Sequence, residues 1–255
     1  METTTTAVTM KNNYWQSRVS ESAEPATMNG TVNKSAIDYS IVPISNRDSD
    51  RVLDFLRRFF FRDEPLNVCV GLLDGPEETC PDLEQYCLDS IPDGVSLMAV
   101  SPSGKLLGVC INGVLSRQPE DCDKDNTECS NPKFDKIQKL LKFVYNESNV
   151  FGQFSEVDKL LDIRVCSVDD ACRGHGIAKN LFEKTKLLAQ ELGMPLVRVD
   201  CTSHFSAKAV ERLGFHCVYT LLYSEYLDRE GEPVFVPEFP HTCVKTFVCP
   251  VPVAQ

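Results

Sequence analysis

Long apolar runs are missing from this 255-residue chain. A membrane-crossing helix needs roughly 20 consecutive apolar residues, so no membrane span is expected. The first residues, Met1-Glu2-Thr3-Thr4-Thr5-Thr6, lack a basic region followed by an apolar core. That speaks against a secretory leader and for a cytoplasmic location. Basic charge is also in short supply: 26 Lys and Arg stand against 37 Asp and Glu, a net charge of −11. Nucleic-acid binders are normally basic, so no nucleic-acid partner is expected. The acidic surface favours solubility and steers cations. Closely spaced cysteine pairs are lacking too. None of the twelve cysteines forms a Cys-x-x-Cys unit, and neighbours such as Cys80 and Cys87, Cys122 and Cys129, or Cys166 and Cys172 lie six or seven apart. Structural zinc sites use tighter spacings, so no metal is expected. The thiols read as reduced, buried small hydrophobes.

Residues 1–35 are rich in Thr, Ser, Asn and Glu and poor in large aliphatics, which predicts a disordered tail ahead of one domain over 36–255. Ile37–Ile44 alternates loosely like a strand. Asn46 or Asp48 would cap a helix through Phe61, with Val52, Phe55, Leu56, Phe59 and Phe60 on one face and Pro65 beyond its end. Val95–Val100 and Leu106–Leu115 are β-type runs joined by Ser101-Pro102-Ser103-Gly104-Lys105, a hairpin signal. Residues 117–130 read as an acidic loop. Asn131-Pro132 then opens a helix with Phe134, Ile137, Leu140, Leu141 and Val144 on its apolar stripe.

The densest signal follows the strand-like run Leu161–Val168. Arg173-Gly174-His175-Gly176-Ile177-Ala178 is a basic, glycine-containing turn that opens a helix whose apolar face is Ile177, Leu181, Leu188 and Leu192, with Gly193 placed to end it. Strand, glycine turn and helix N-terminus make an anion cradle, because free N–H groups of the first helical turn point at phosphate oxygens. Leu196–Cys201 reads as the next strand, Phe205–Leu213 as a short helix ended by Gly214, and Phe215–Tyr226 and Cys243–Cys249 as closing strands. A strand–helix–strand crossover beside a hairpin implies an α/β (α+β) domain with a mixed sheet.

This order, with Arg173–Ala178 after a strand and Leu213-Gly214-Phe215 later, resembles the GCN5-related N-acetyltransferase superfamily. Phe59–Leu66 (FFFRDEPL), Ser167-Val168-Asp169 and Cys201–Ala207 (CTSHFSA) are similar to the insect arylalkylamine N-acetyltransferases, over about residues 36–250. The resemblance implies a mixed central sheet flanked by helices, whose two parallel strands, Leu161–Val168 and Leu196–Thr202, splay apart around the pantetheine arm. It implies acetyl-CoA as donor and a small aromatic amine (dopamine, tyramine, octopamine, serotonin or tryptamine) as acceptor, handled by a monomer.

On that resemblance, Arg173, Gly174, His175, Gly176, Ile177 and Ala178 would hold the CoA pyrophosphate. Cys166, Ser167 and Val168 would line the pantetheine as an added strand, and Ser206 and Lys208 would reach the cofactor from a second loop. Glu64 is the expected general base, since an alkylamine must lose a proton before attack. Read as the end of a helix before Pro65, it is an acid where the dipole disfavours one. Asp63 is the candidate for holding the ammonium, and Phe60 and Tyr86 for the aromatic pocket. Many superfamily members protonate the leaving thiolate with a tyrosine, but Val210 stands in that place here. Thr202 and Ser206 are the hydroxyls expected to serve instead, with His204 as an alternative. Cys201 leaves open a route through an acetylated thiol. The rival functions are a polyamine or agmatine acetyltransferase and a non-catalytic acyl-CoA-binding domain.

Overall fold

The computed structural model describes residues 37–75, 77–117 and 129–252. The tail expected over 1–35 and the acidic loop at 118–128 lie outside the described residues. Seven strands form one sheet: β1 (Ser40–Pro43), β2 (Leu97–Val100), β3 (Leu106–Ser116), β4 (Lys159–Val168), β5 (Leu196–Cys201), β6 (His216–Leu222) and β7 (Cys243–Pro250). Their order is β1-β2-β3-β4-β5-β7-β6. Only β4 and β5 run parallel, and every other neighbouring pair is antiparallel. The helices are α1 (Ser49–Phe59), α2 (Pro65–Cys69), α3 (Pro81–Leu88), α4 (Pro132–Ser148), α5 (Val150–Gln153), α6 (Ile177–Glu191) and α7 (His204–Arg212).

Each face of the sheet carries its own apolar core. On one, Leu56, Phe61, Leu83, Ile137 and Leu140 pack with Ile111, Val165 and Tyr223. On the other, Ile177 and Leu181 of α6 and Val210 of α7 cover Leu161, Ile163, Val199, Cys201 and Phe247. Strand alternation follows from this: Val197, Val199 and Cys201 face α6 and α7, which sends Arg198 and Asp200 to the opposite side.

The local chemistry explains most boundaries. Gly104, at φ 82°, lets the β2–β3 turn close with its N–H on the Ser101 carbonyl (2.9 Å). Asn131 Oδ1 accepts from the Lys133 and Phe134 N–H groups at 2.9 and 3.2 Å, and Pro132 starts α4.

The first strand is shorter than read, Ser40–Pro43 within Ile37–Ile44, and the second begins at Leu97, not Val95; two further differences carry aromatic rings into the core. α1 stops at Phe59, not Phe61. Two residues on, at about 100° each, Phe61 would point away from the buried face. Instead the chain leaves the helix, both Phe60 and Phe61 donate to the Leu56 carbonyl (2.9 Å each), and Phe61 turns into the core at 1% exposure. β6 ends at Leu222, and residues 223–225 form a single tight turn that carries Tyr223 into the core at 2% exposure.

Candidate active site

The parallel strands begin together and then part. Leu161, Asp162 and Ile163 pair with Val197, Arg198 and Val199, and no later pair forms. The reason sits on the far side of β4. Its register against β3 slips between Ile111↔Val165 and Asn112↔Ile163, leaving Arg164 as an extra residue. Such a bulge bends the strand that carries it and strengthens its twist. Beyond it Cys166, Ser167 and Val168 stay paired with β3, while β5 continues on β7 as far as Cys201↔Lys245. The two strands therefore diverge into a cleft with unpaired backbone along its edge.

The turn at one arm of the cleft is built from backbone. Asp169 starts it, accepting the Ala171 N–H at 3.0 Å and the Lys105 ammonium at 2.7 Å. Gly174 and Gly176 have φ of 81° and 80°, a region that costs a residue with a side chain about 1–2 kcal/mol. Gly176 caps α6 with no side chain accepting from the first turn. A Cβ built on Gly176 would meet no protein atom within 4 Å. The N-terminus of a 15-residue helix thus faces open space, the geometry that holds phosphate oxygens.

The residues after α1 span the cleft. Asp63 accepts from the Arg173 guanidinium at 2.9 Å, touching the glycine turn beyond β4. The next residue, Glu64, faces Thr202 beyond the end of β5. Glu64 therefore stands at the N-terminus of α2, not at the C-terminus of α1, which corrects the helix-end placement. Its Oε2 accepts the Asn67 N–H at 2.8 Å. Its buried Oε1 makes no hydrogen bond of good geometry, although the Thr202 hydroxyl faces the carboxyl. Burial pushes the carboxyl above its ordinary value, opposed by the Asn67 N–H, the Thr202 hydroxyl and the Leu66 N–H. The cap interaction holds the group in place, and desolvation makes it a stronger proton acceptor.

No family model matches the chain. Solved structures do. An arylalkylamine N-acetyltransferase 2 from Aedes aegypti is 38% identical, with a TM-score of 0.77, over 84% of this chain and 100% of that one. The chain belongs to the arylalkylamine N-acetyltransferase family. A Drosophila melanogaster polyamine N-acetyltransferase, an enzyme that forms N-acetylagmatine, is 29% identical with a TM-score of 0.74, over 84% of this chain and 100% of that one. A mosquito arylalkylamine N-acetyltransferase-like 5b is 27% identical with a TM-score of 0.73, over the same shares. The splayed mixed sheet is the fold these acetyltransferases share, and the chain is an amine N-acetyltransferase.

The remaining residues of this acetyltransferase fall into three groups. Some meet at the cleft. Ser206 lies in the first turn of α7, four residues after Thr202, its hydroxyl donating to the Ser203 carbonyl (3.0 Å) and accepting from Ser203 Oγ (2.9 Å). The Cys201 thiol lies against the Ser206 hydroxyl, and burial pushes it up to about 12. Others serve the framework through their side chains. His175 Nδ1 meets the Cys172 carbonyl at 3.1 Å inside the turn, and Ser167 Oγ donates to the Phe59 carbonyl at 2.9 Å, tying β4 to the end of α1. Cys166 lies directly opposite Cys110 across the β3–β4 ladder. Phe60 sits edge-on to Phe61 (6.0 Å), and Tyr86 edge-on to Phe134 (6.0 Å) with the Arg164 guanidinium 5.9 Å over its ring. Both are half-buried against the same core.

A last group is not brought to the cleft. Lys208 is exposed and lines an open cavity of about 290 Å³ with Ser203, Glu211, Thr242, Cys243 and Lys245, a set with no β4 or glycine-turn residue. The His204 ring packs edge-on to Phe205 at 5.7 Å. Val210 is core, 1% exposed.

Sequence reasoning missed two features of the site. One is Tyr223, whose hydroxyl donates to the Thr202 carbonyl at 2.7 Å. The other lies under the cleft: Arg198, 3% exposed, donates to Asp162 at 2.8 Å and to Asp200 at 2.7 Å, and Thr246 donates to Asp200 at 2.7 Å. Alternating charges along Leu196–Cys201 were the only hint of it.

Proposed function

We propose that the protein transfers the acetyl group of acetyl-CoA to the primary amine of an arylalkylamine, such as dopamine, tyramine, octopamine, serotonin or tryptamine. Transfer is direct, within a ternary complex, with Glu64 as general base. One observation carries this reading: a buried carboxyl oxygen, unpartnered, on the segment that spans the mouth of the cleft. An orphaned buried acceptor costs about 1–3 kcal/mol, a cost that accepting the amine proton relieves.

Acetyl-CoA fits the framework present. The Gly174–Gly176 turn and the first N–H groups of α6 suit its pyrophosphate, and the unpaired edge of Cys166–Val168 suits its pantetheine amides. It supplies an acetyl group activated as a thioester. Glu64 accepts the ammonium proton at Oε1, directly or through one water. Thr202 and Ser206 are the hydroxyls offered to the departing sulfur, Thr202 being released to donate once Glu64 has taken the amine proton. Ser206 must release the Ser203 carbonyl to donate. A route through Cys201 is disfavoured, because a thiol held that far above its ordinary range is not a thiolate at neutral pH.

The buried charges support an aromatic over a polyamine acceptor. A polyamine brings a second cation and needs a spare carboxylate. Asp162 and Asp200 of the sheet are already paired by Arg198 and Thr246, while Phe60 and Tyr86 are half-buried aromatics packed on the core of that face. The test is a panel of kcat/KM values with acetyl-CoA and tyramine, dopamine, serotonin, agmatine, putrescine and spermidine. Higher values for the aromatic amines are expected. A preference for agmatine or spermidine would replace this reading with the polyamine one, and no turnover of any amine would leave an acyl-CoA-binding domain.

A further inference from the structure

Thr202 stands where β5 runs out of partners. The last pair with β7 is Cys201↔Lys245, and toward β4 the strands have already parted. Its carbonyl would be an unsatisfied acceptor at the edge of the cleft, free to rotate with the peptide plane. Tyr223 prevents this. Its N–H bonds the Thr242 carbonyl at 3.0 Å, its ring packs against Phe235 at 6.3 Å, and it is 2% exposed. From that fixed base its hydroxyl reaches past β7 to the Thr202 carbonyl at 2.7 Å, a short neutral hydrogen bond.

We infer that Tyr223 is a positioning residue for the base: it anchors the end of β5 so that Thr202 presents its hydroxyl to Glu64. The inference rests on Glu64 as the base and adds what holds the base in register with the cleft. Three separate parts of the chain converge here: the start of α2, the end of β5 and the turn after β6. Tyr223 is also a permanent donor. Burial, with the Glu64 charge nearby, raises its phenol far above the working range, so it never ionises there. Its hydroxyl is committed to the Thr202 carbonyl, so it stabilises the arrangement and is not the acid that meets the departing thiolate.

The surroundings make the effect readable by pH. The groups that set the Glu64 charge are the Asn67 and Leu66 N–H groups of α2 and the Thr202 hydroxyl, with no charged side chain among them. Tyr223 is the titratable group facing Glu64, and the Cys69, Cys201 and Cys243 thiols face Tyr223 in turn.

The experiment measures kcat against pH for the full chain at saturating acetyl-CoA and tyramine. Tyr223→Phe removes one oxygen and keeps the ring. It should lower kcat about fivefold, the worth of one neutral hydrogen bond. It should also move the acidic limb to higher pH, because a Thr202 hydroxyl that no longer points at Glu64 stops favouring the carboxylate. Thr202→Val should move the limb the same way, and Tyr223→Phe added to Thr202→Val should change little more, since both act through one contact. Tyr223→Leu gives a second variant without the hydroxyl, should the phenylalanine variant not fold. A limb left at the wild-type pH, or effects of the two single variants that simply add, would overturn the inference and leave Tyr223 a core residue. Glu64→Gln separates the failures: if it keeps the acidic limb and normal turnover, the base assignment itself falls.

Discussion

The two sides of the cleft are built on opposite principles. The cofactor side is a turn of backbone in the left-handed region, exposed, with Arg173 and Asp63 about half-exposed across its rim. The turn's own residues lie within a dozen of each other in the chain, and Asp63 joins them from 110 positions away. The base side is made of side chains drawn from residues 64, 202 and 223: Glu64 and Thr202 are half-buried, Tyr223 is buried, and the Glu64 Oε1 atom is itself shut off from solvent. A ligand with a fixed dianionic group can be met by N–H dipoles that need no titration. A proton acceptor needs desolvation and neighbours that tune it, which only a folded core supplies. The first side should therefore fail in binding when altered, and the second in turnover.

The largest effect expected is at Glu64. Glu64→Ala should reduce kcat by about 10²- to 10⁴-fold, the usual worth of a general base, while acetyl-CoA binding measured by calorimetry stays near wild type. Activity of the wild type should fall as the medium becomes acidic, because protonated Glu64 cannot accept a proton. Its raised value places that limb above the ordinary glutamate range. Ser206→Ala should be slower than wild type but keep the limb. If Glu64→Ala instead lost cofactor affinity and kept kcat, the division between the two sides would collapse.

A test of brittleness comes next. Arg198 is buried between two carboxylates. Arg198→Met leaves Asp200 without its cation and Asp162 with only the Arg164 guanidinium, 3.9 Å away, and removing one partner of a buried ion pair costs about 3–5 kcal/mol. Asp63→Asn breaks only the exposed bridge to Arg173, where a pair is worth about 0–1 kcal/mol. Urea melts of both variants measure the contrast. Equal losses would show that exposure does not separate the two sides.

On the cofactor side, Gly176→Val should raise the KM for acetyl-CoA about tenfold, the sum of a strained φ of 80° and a β-branched side chain in the ligand's path. Turnover at saturating acetyl-CoA should change far less. Because a side chain there meets no protein atom, unchanged acetyl-CoA affinity in a folded variant would show that the phosphates lie elsewhere.

The same division explains what could be read along the chain. Arg173–Ala178 was legible because strand, turn and helix are consecutive and each glycine has a local reason. The β2–β3 hairpin and the Gly193 stop after α6 were legible for the same cause. Tyr223 looked like one more residue of a closing strand, because nothing near it in sequence announces the Thr202 carbonyl 21 positions away. The break of α4 at Asn149, with φ 38°, followed by α5, carried no glycine or proline to mark it. Glu64 was recognised as a residue but set at the wrong helix end, because the burial of Phe61 decides where α1 stops.

The smallest expected effect is also the sharpest, because it separates stability from function at one atom. The wild-type Glu64 carboxyl is raised above its ordinary value of 4.5 by burial. Below that value the carboxyl is protonated in both the folded and the unfolded chain, and ionisation costs nothing. As pH rises past it, the unfolded chain ionises freely while the folded one must bury a charge or hold its proton. The penalty grows through this window and is complete once pH exceeds the folded value. Glu64→Gln keeps an oxygen to accept the Asn67 N–H and carries no charge. It should raise Tm by a few degrees at neutral pH, since relieving one buried unpaired group is worth on the order of 1 kcal/mol and that moves Tm by about 2–4 °C in a domain this size. The gain should shrink as the medium is acidified toward the ordinary glutamate range, and the same variant should be nearly inactive throughout. Calorimetric melts of both proteins across that range measure it. A variant less stable than wild type at neutral pH, or a gain that does not change with pH, would mean that Glu64 is held for structure and not strained for chemistry.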